Sequence, residues 1–145
     1  MNLKLKTSWT IQLKNEVDYQ RHGIEIPIPI LSNGQYVILA TPTELDEKKA
    51  TEKSYAFSRL QVTNLAFTET KMPDQHIFQV VDRNTGKPKS GAKITLYYRK
   101  NYRGPLLTKS LVTDKNGFAA MDLNRSNISI ETTEIAHEKE IAFFE

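Results

Sequence analysis

The chain has 145 residues, of which 39% are hydrophobic and 26% charged, with 6 Gly and 6 Pro; this excludes a wholly disordered chain, a collagen and a low-complexity linker, and predicts one domain or two small ones. Cysteine is absent, which excludes disulfides, cysteine nucleophiles, thiolate metal sites and any thioester built on this segment. The formal charge is only +3, from 20 Lys+Arg against 17 Asp+Glu. Beyond Lys4, Lys6 and Lys14 the bases alternate with acids, so no nucleic-acid footprint is predicted.

The first segment alternates cleanly. Leu3, Leu5, Thr7, Trp9, Ile11 and Leu13 share one face, and Lys4, Lys6 and Lys14 share the other. A period of two predicts a strand whose lysines face water and discourage edge pairing. No signal peptide is predicted, because the alternation starts directly after Met1. No apolar run reaches the roughly 18 residues of a membrane-spanning helix.

Ile24 to Leu31 alternates again, but Pro27 and Pro29 cannot donate ladder hydrogen bonds. That predicts an edge strand or an extended crossing. Ser32-Asn33-Gly34 marks a turn, and Gln35 to Thr41 a buried strand. Thr43 to Ser54 has too few apolar positions for an anchored helix and predicts a solvated loop.

A second β series begins near Tyr55. The alternation slips near Asn64, where Leu60 and Val62 hand over to Leu65 and Phe67, which predicts a bulge or a change of sheet. Further strands are predicted at His76 to Asp82, Ala92 to Arg99, Leu106 to Thr113, Phe118 to Leu123, Ile128 to Thr133 and Lys139 to Phe144. Turns rich in Gly, Pro and Asn separate them, as in an antiparallel sandwich or barrel. Asp114-Lys115-Asn116-Gly117 predicts a two-residue hairpin centred on Asn116-Gly117.

Catalytic chemistry has no signature here. His22, His76 and His137 are isolated from one another and predict surface or loop positions. There is no Gly-x-Ser-x-Gly elbow and no phosphate loop. Asp114 to Gly117 matches the first half of a calcium loop but lacks the later ligands. Asn124-Arg125-Ser126 and Asn127-Ile128-Ser129 fit the glycosylation sequon. Tyr97, Tyr98 and Tyr102 form the best aromatic cluster for a sugar platform, although neighbours in a strand point to opposite faces. No catalytic, cofactor-binding or metal-binding residue is predicted. The residues singled out are the turn formers Asp82, Thr85, Gly86, Pro88, Gly91, Thr113, Asp114, Asn116 and Gly117.

Two phrases carry a resemblance. Phe78 to Tyr97 holds Val81-Asp82-Arg83-Asn84-Thr85-Gly86-Lys87-Pro88 followed by Gly91-Ala92, and Val112 to Ala119 holds Thr113-Asp114-Lys115-Asn116-Gly117. Upstream stand Ile26-Pro27, Ile30-Leu31 and Gly34-Gln35-Tyr36-Val37-Ile38-Leu39, then Phe57 and Val62-Thr63-Asn64-Leu65. In this order they resemble the macroglobulin domains of bacterial α2-macroglobulin-like proteins. The resemblance implies a fragment of a longer chain. Residues 1–55 would be the last part of one immunoglobulin-like or macroglobulin-like β domain, and 56–145 a complete antiparallel β-sandwich. It further implies a non-catalytic structural segment of a protease trap at the periplasm or cell surface. Its partners would be neighbouring macroglobulin domains and, for the whole protein, proteases. The same turns also occur in extracellular adhesin or stalk modules and carbohydrate-associated sandwiches, and that alternative stays open.

Overall fold

The computed structural model describes residues 4–14, 17–18, 20–42, 55–101, 103–123 and 128–145. The expected loop at 43–54, Tyr102 and the Asn124 to Asn127 turn with its sequon asparagines lie outside them. The described residues form nine strands and no helix. These are β1 (Gly34–Ala40), β2 (Ala56–Val62), β3 (Leu65–Lys71), β4 (Gln75–Asp82), β5 (Lys93–Arg99), β6 (Leu107–Val112), β7 (Phe118–Asp122), β8 (Ser129–His137) and β9 (Glu140–Phe144). The chain divides into two compact units, Met1–Ile30 with Ile38–Ser58, and Leu31–Val37 with Arg59–Glu145.

Within the second unit, β3 to β9 make an all-β sandwich of antiparallel sheets. One sheet has the order β3-β4-β7 and the other β6-β5-β8-β9. The order follows from the connections. Short turns join β3 to β4, β5 to β6 and β8 to β9 within a sheet, while the remaining links cross between sheets. In the immunoglobulin constant arrangement the fourth strand joins the first sheet; here its counterpart, β6, pairs with β5.

Alternation builds the core. Phe78 and Val80 of β4, Ile94 and Leu96 of β5, and Ile135 of β8 are fully buried. Leu65, Met121 and Ala142 join them from β3, β7 and β9, so both sheets contribute one inner face. Phe67 links the layers: its ring centroid lies 5.8 Å from that of Phe78 in its own sheet and 5.4 Å from that of Phe144 in the other. Truncating a core aromatic such as Phe78 to Ala costs ~3–5 kcal/mol in comparable interiors.

Several expectations are met. The slip at Asn64 is a change of sheet, since β2 pairs with β1 and β3 with β4. The proline-bearing stretch up to Leu31 carries no ladder, as an extended crossing would. Others are corrected. The first alternating segment is not a strand over residues 4–14, and Leu5 and Leu13 are exposed. Its pattern supplies two faces, but a strand also needs a backbone neighbour to complete its hydrogen bonds. His76 is not a surface residue. It sits on β4 at 6% exposure, with its ring stacked on Phe78 at 4.6 Å between centroids. Its place two residues before Phe78 puts it on the inner face.

The Asn-Gly turn also differs. Gly117 N–H bonds the Asp114 carbonyl at 3.0 Å, and Asp114 N–H bonds the Phe118 carbonyl at 2.7 Å. Among the described non-glycine residues only Val17 and Glu138 have positive φ, so Asn116 does not. The loop therefore has three residues, with Gly117 at φ 76° after an ordinary turn. It does not close a hairpin within one sheet, because β6 belongs to one layer and β7 to the other.

Candidate functional site

The predicted turn formers come together at one end of the sandwich. Asp82 ends β4 and organises the first turn. Its Oδ1 accepts from the N–H groups of Asn84 at 3.1 Å and Thr85 at 3.0 Å, and from the Thr85 hydroxyl at 3.0 Å. Its Oδ2 pairs with Lys89 Nζ at 3.0 Å. The Lys89 ammonium, reinforced by the Thr85 hydroxyl and backbone, lowers the Asp82 pKa from 3.8 to about 2. Gly86 has φ 70° and returns its N–H to the Asp82 carbonyl at 2.8 Å. That left-handed conformation is one a side chain would oppose. Pro88 then bridges Val81, and Lys89 N–H reaches the Val80 carbonyl at 2.9 Å.

The second block closes on the first. Thr113 is buried, and its hydroxyl has two bonds. It donates to the Lys89 carbonyl at 2.6 Å and accepts from Ala92 N–H at 2.8 Å. Gly91 N–H reaches the Thr113 carbonyl at 3.0 Å, and Thr113 N–H the Ala92 carbonyl at 3.0 Å. Asp114 Oδ1 accepts from Asn116 N–H at 2.8 Å and Phe118 N–H at 2.9 Å. Val80 N–H then bonds the Gly117 carbonyl at 2.9 Å. Thus the Asp82 turn, the Gly91 turn and the Thr113 to Gly117 loop form one cluster that ties β4 of one sheet to β5 and β6 of the other.

Chemically the cluster is a fastening. Asp82, Thr85, Thr113 and Asp114 Oδ1 are engaged by backbone groups and by Lys89. Among the described residues, no group of three or more His, Asp or Glu could hold a metal ion. The Asp114 carboxylate is committed to its own turn. Of the aromatic cluster, Tyr98 packs against the core rather than forming an open platform. His22 pairs locally with Asp18 at 2.7 Å and belongs to the other compact unit.

The pattern of residues did not reveal the contacts that join distant segments. Thr113 bonds Lys89 across 24 positions, and Gln61 bonds Phe143 across 82. Only the Thr-Asp and Gly-Ala pairs beside the turns hinted at the first, and nothing local marks the second.

The class of protein defined here is an all-β protein with an antiparallel β-sandwich. Comparison with family models, with curated proteins and with solved structures finds no match to this chain.

Proposed function

We propose that this chain is a non-catalytic structural segment of a bacterial α2-macroglobulin-like protease trap. The observation that carries the reading is the use made of the two motif blocks. Their residues resemble a macroglobulin pattern, and all of their polar groups named above serve the frame. Such a segment would hold neighbouring macroglobulin domains of the same polypeptide in place, outside the cytoplasm. It would contribute no catalytic residue and no cofactor. Among the described residues no helix is long and apolar enough to cross a membrane.

The test uses the natural polypeptide that carries these residues, tagged at its own locus and purified from the cell envelope. It is challenged with a panel of endopeptidases. A trap retains the protease through size exclusion, lets it cleave a small peptide and blocks its access to a large protein substrate. Recovery of the polypeptide from the cytoplasm alone, or failure to retain any protease, overturns the reading.

A further inference from the structure

Strand β9 ends the four-stranded sheet, so among the described residues one side of it has no strand neighbour. Such an edge invites pairing with another chain. Ile141 and Phe143 on this strand are 51% and 42% exposed, which adds apolar surface to the open backbone. The edge is nonetheless occupied. The Gln61 carboxamide donates from Nε2 to the Phe143 carbonyl at 3.0 Å and accepts Phe143 N–H on Oε1 at 2.7 Å. A carboxamide is a peptide group on a side chain, and here it makes the two bonds that a neighbouring strand's backbone would make. Gln35 Nε2 holds the same Oε1 from the other side at 2.5 Å.

A second fastening lies at the start of the strand. Glu140 Oε1 accepts from the Thr63 hydroxyl and from Asn64 N–H, the latter at 2.7 Å. Thr63 Oγ1 in turn accepts Leu65 N–H at 3.0 Å, at the point where the chain enters β3. Residues 61–64 are thus pinned along β9 by side chains on both partners, with no backbone ladder between them.

We propose that Gln61 and Glu140 form a latch that closes the β9 edge against strand addition by a second copy of this chain. The latch fits that task because side-chain bonds can be released without unfolding either sheet. The edge bearing Ile141 and Phe143 has no proline; Glu140, on the same face as buried Ala142, is its inward charge, and the latch engages that charge. A second copy is the occupant because an edge strand offers the same unpaired backbone groups in every copy, and two such edges complete each other in antiparallel pairing.

The experiment compares the parent chain with Gln61→Met, which keeps the length of the side chain and removes its hydrogen bonds. Amide hydrogen exchange is read at Phe143, and sedimentation velocity is run over a concentration series. The expected result is a tenfold or greater acceleration at Phe143, little change at buried Ile135, and stronger self-association than the parent at equal concentration. Glu140→Ala is expected to accelerate Asn64 in the same way, and Glu140→Gln, which keeps the acceptor oxygen, to restore protection. If Gln61→Met loosens the whole fold, exchange at Ile135 reveals it, and the Glu140 pair then decides. An unchanged Phe143 rate in a folded Gln61→Met protein, no rise in its self-association, or equal exchange in both Glu140 variants overturns the proposal.

Discussion

A Cβ placed on Gly117 would stand 2.5 Å from the carbonyl oxygen of Val80. The loop from β6 to β7 is therefore pressed against the backbone of β4, in the sheet that β7 is about to join. Gly117 also holds φ 76°. The left-handed conformation alone costs an ordinary residue ~1–2 kcal/mol, and the close approach adds to it, because a backbone carbonyl engaged with Lys89 cannot swing aside. Gly117→Ala is expected to lower unfolding stability by about 2–4 kcal/mol. Urea denaturation measures this directly, and a loss below about 1 kcal/mol would mean that the loop relaxes away from β4.

Thr113 joins the two blocks through a hydroxyl that both donates and accepts. Thr113→Val preserves the shape but leaves Ala92 N–H and the Lys89 carbonyl without that partner. Ala92 is fully buried, so water does not readily replace the bond. The expected loss is about 2–6 kcal/mol, from ~1–3 per unsatisfied group. Thr113→Ser keeps the hydroxyl and is expected to stay within about 1 kcal/mol of the parent. Equal stability of the Val and Ser variants would remove the hydroxyl from the account.

Among the described residues, Asp82 and His76 each make stability sensitive to acid. Lys89 and the Thr85 turn hold the Asp82 pKa down, from 3.8 to about 2. The unfolded chain thus binds the proton more readily than the folded one. Asp82's contribution is fully present above pH 3.8 and is lost as the pH falls through about 2. Burial likewise lowers the His76 pKa below 6.5, against an opposing pull from Glu69. Nε2 has Glu69 at 3.3 Å, whereas Nδ1 is buried with no partner. Its contribution is complete above pH 6.5 and declines as the pH falls from there through the lowered folded-state value. Chemical denaturation from pH 8 to pH 2 should therefore show two declines. His76→Phe should flatten the upper one and Asp82→Asn the lower. An upper decline that persists unchanged in His76→Phe assigns it to another group.

The β8–β9 connection contains a correctable strain. Glu138 has φ 54°, in a two-residue loop between the paired His137 and Glu140. A positive φ at the first loop position suits glycine. Glu138→Gly is expected to stabilise the sandwich by about 0.5–1 kcal/mol, seen as a higher urea midpoint with an unchanged slope. A lower midpoint would mean that the Glu138 side chain contributes more than its backbone conformation costs.

What was legible from the residues alone is what local sterics decide. Alternation over β4 and β5, together with the turn residues Asp82, Gly86, Gly91 and Gly117, marked strands, boundaries and an all-β class, because side-chain direction and φ preference belong to each residue and its neighbours. The slip between Val62 and Leu65 marked a bulge or a change of sheet, and the strand pairing made it the latter. The tertiary structure alone decided which strands pair. The segment from Lys4 to Lys14 has the most regular alternation in the chain yet forms no strand, since a ladder requires a second backbone. The Asn116-Gly117 turn favours reversal but does not dictate whether the returning strand stays in its sheet; β7 instead pairs with β4, with Met121 opposite His76 and in the same core as Phe78. The buried place of His76, the Thr113 staple and the Gln61 latch likewise depend on groups brought together from far along the chain. Periodicity fixes which way a side chain points, whereas its partner depends on how the whole chain closes over one core.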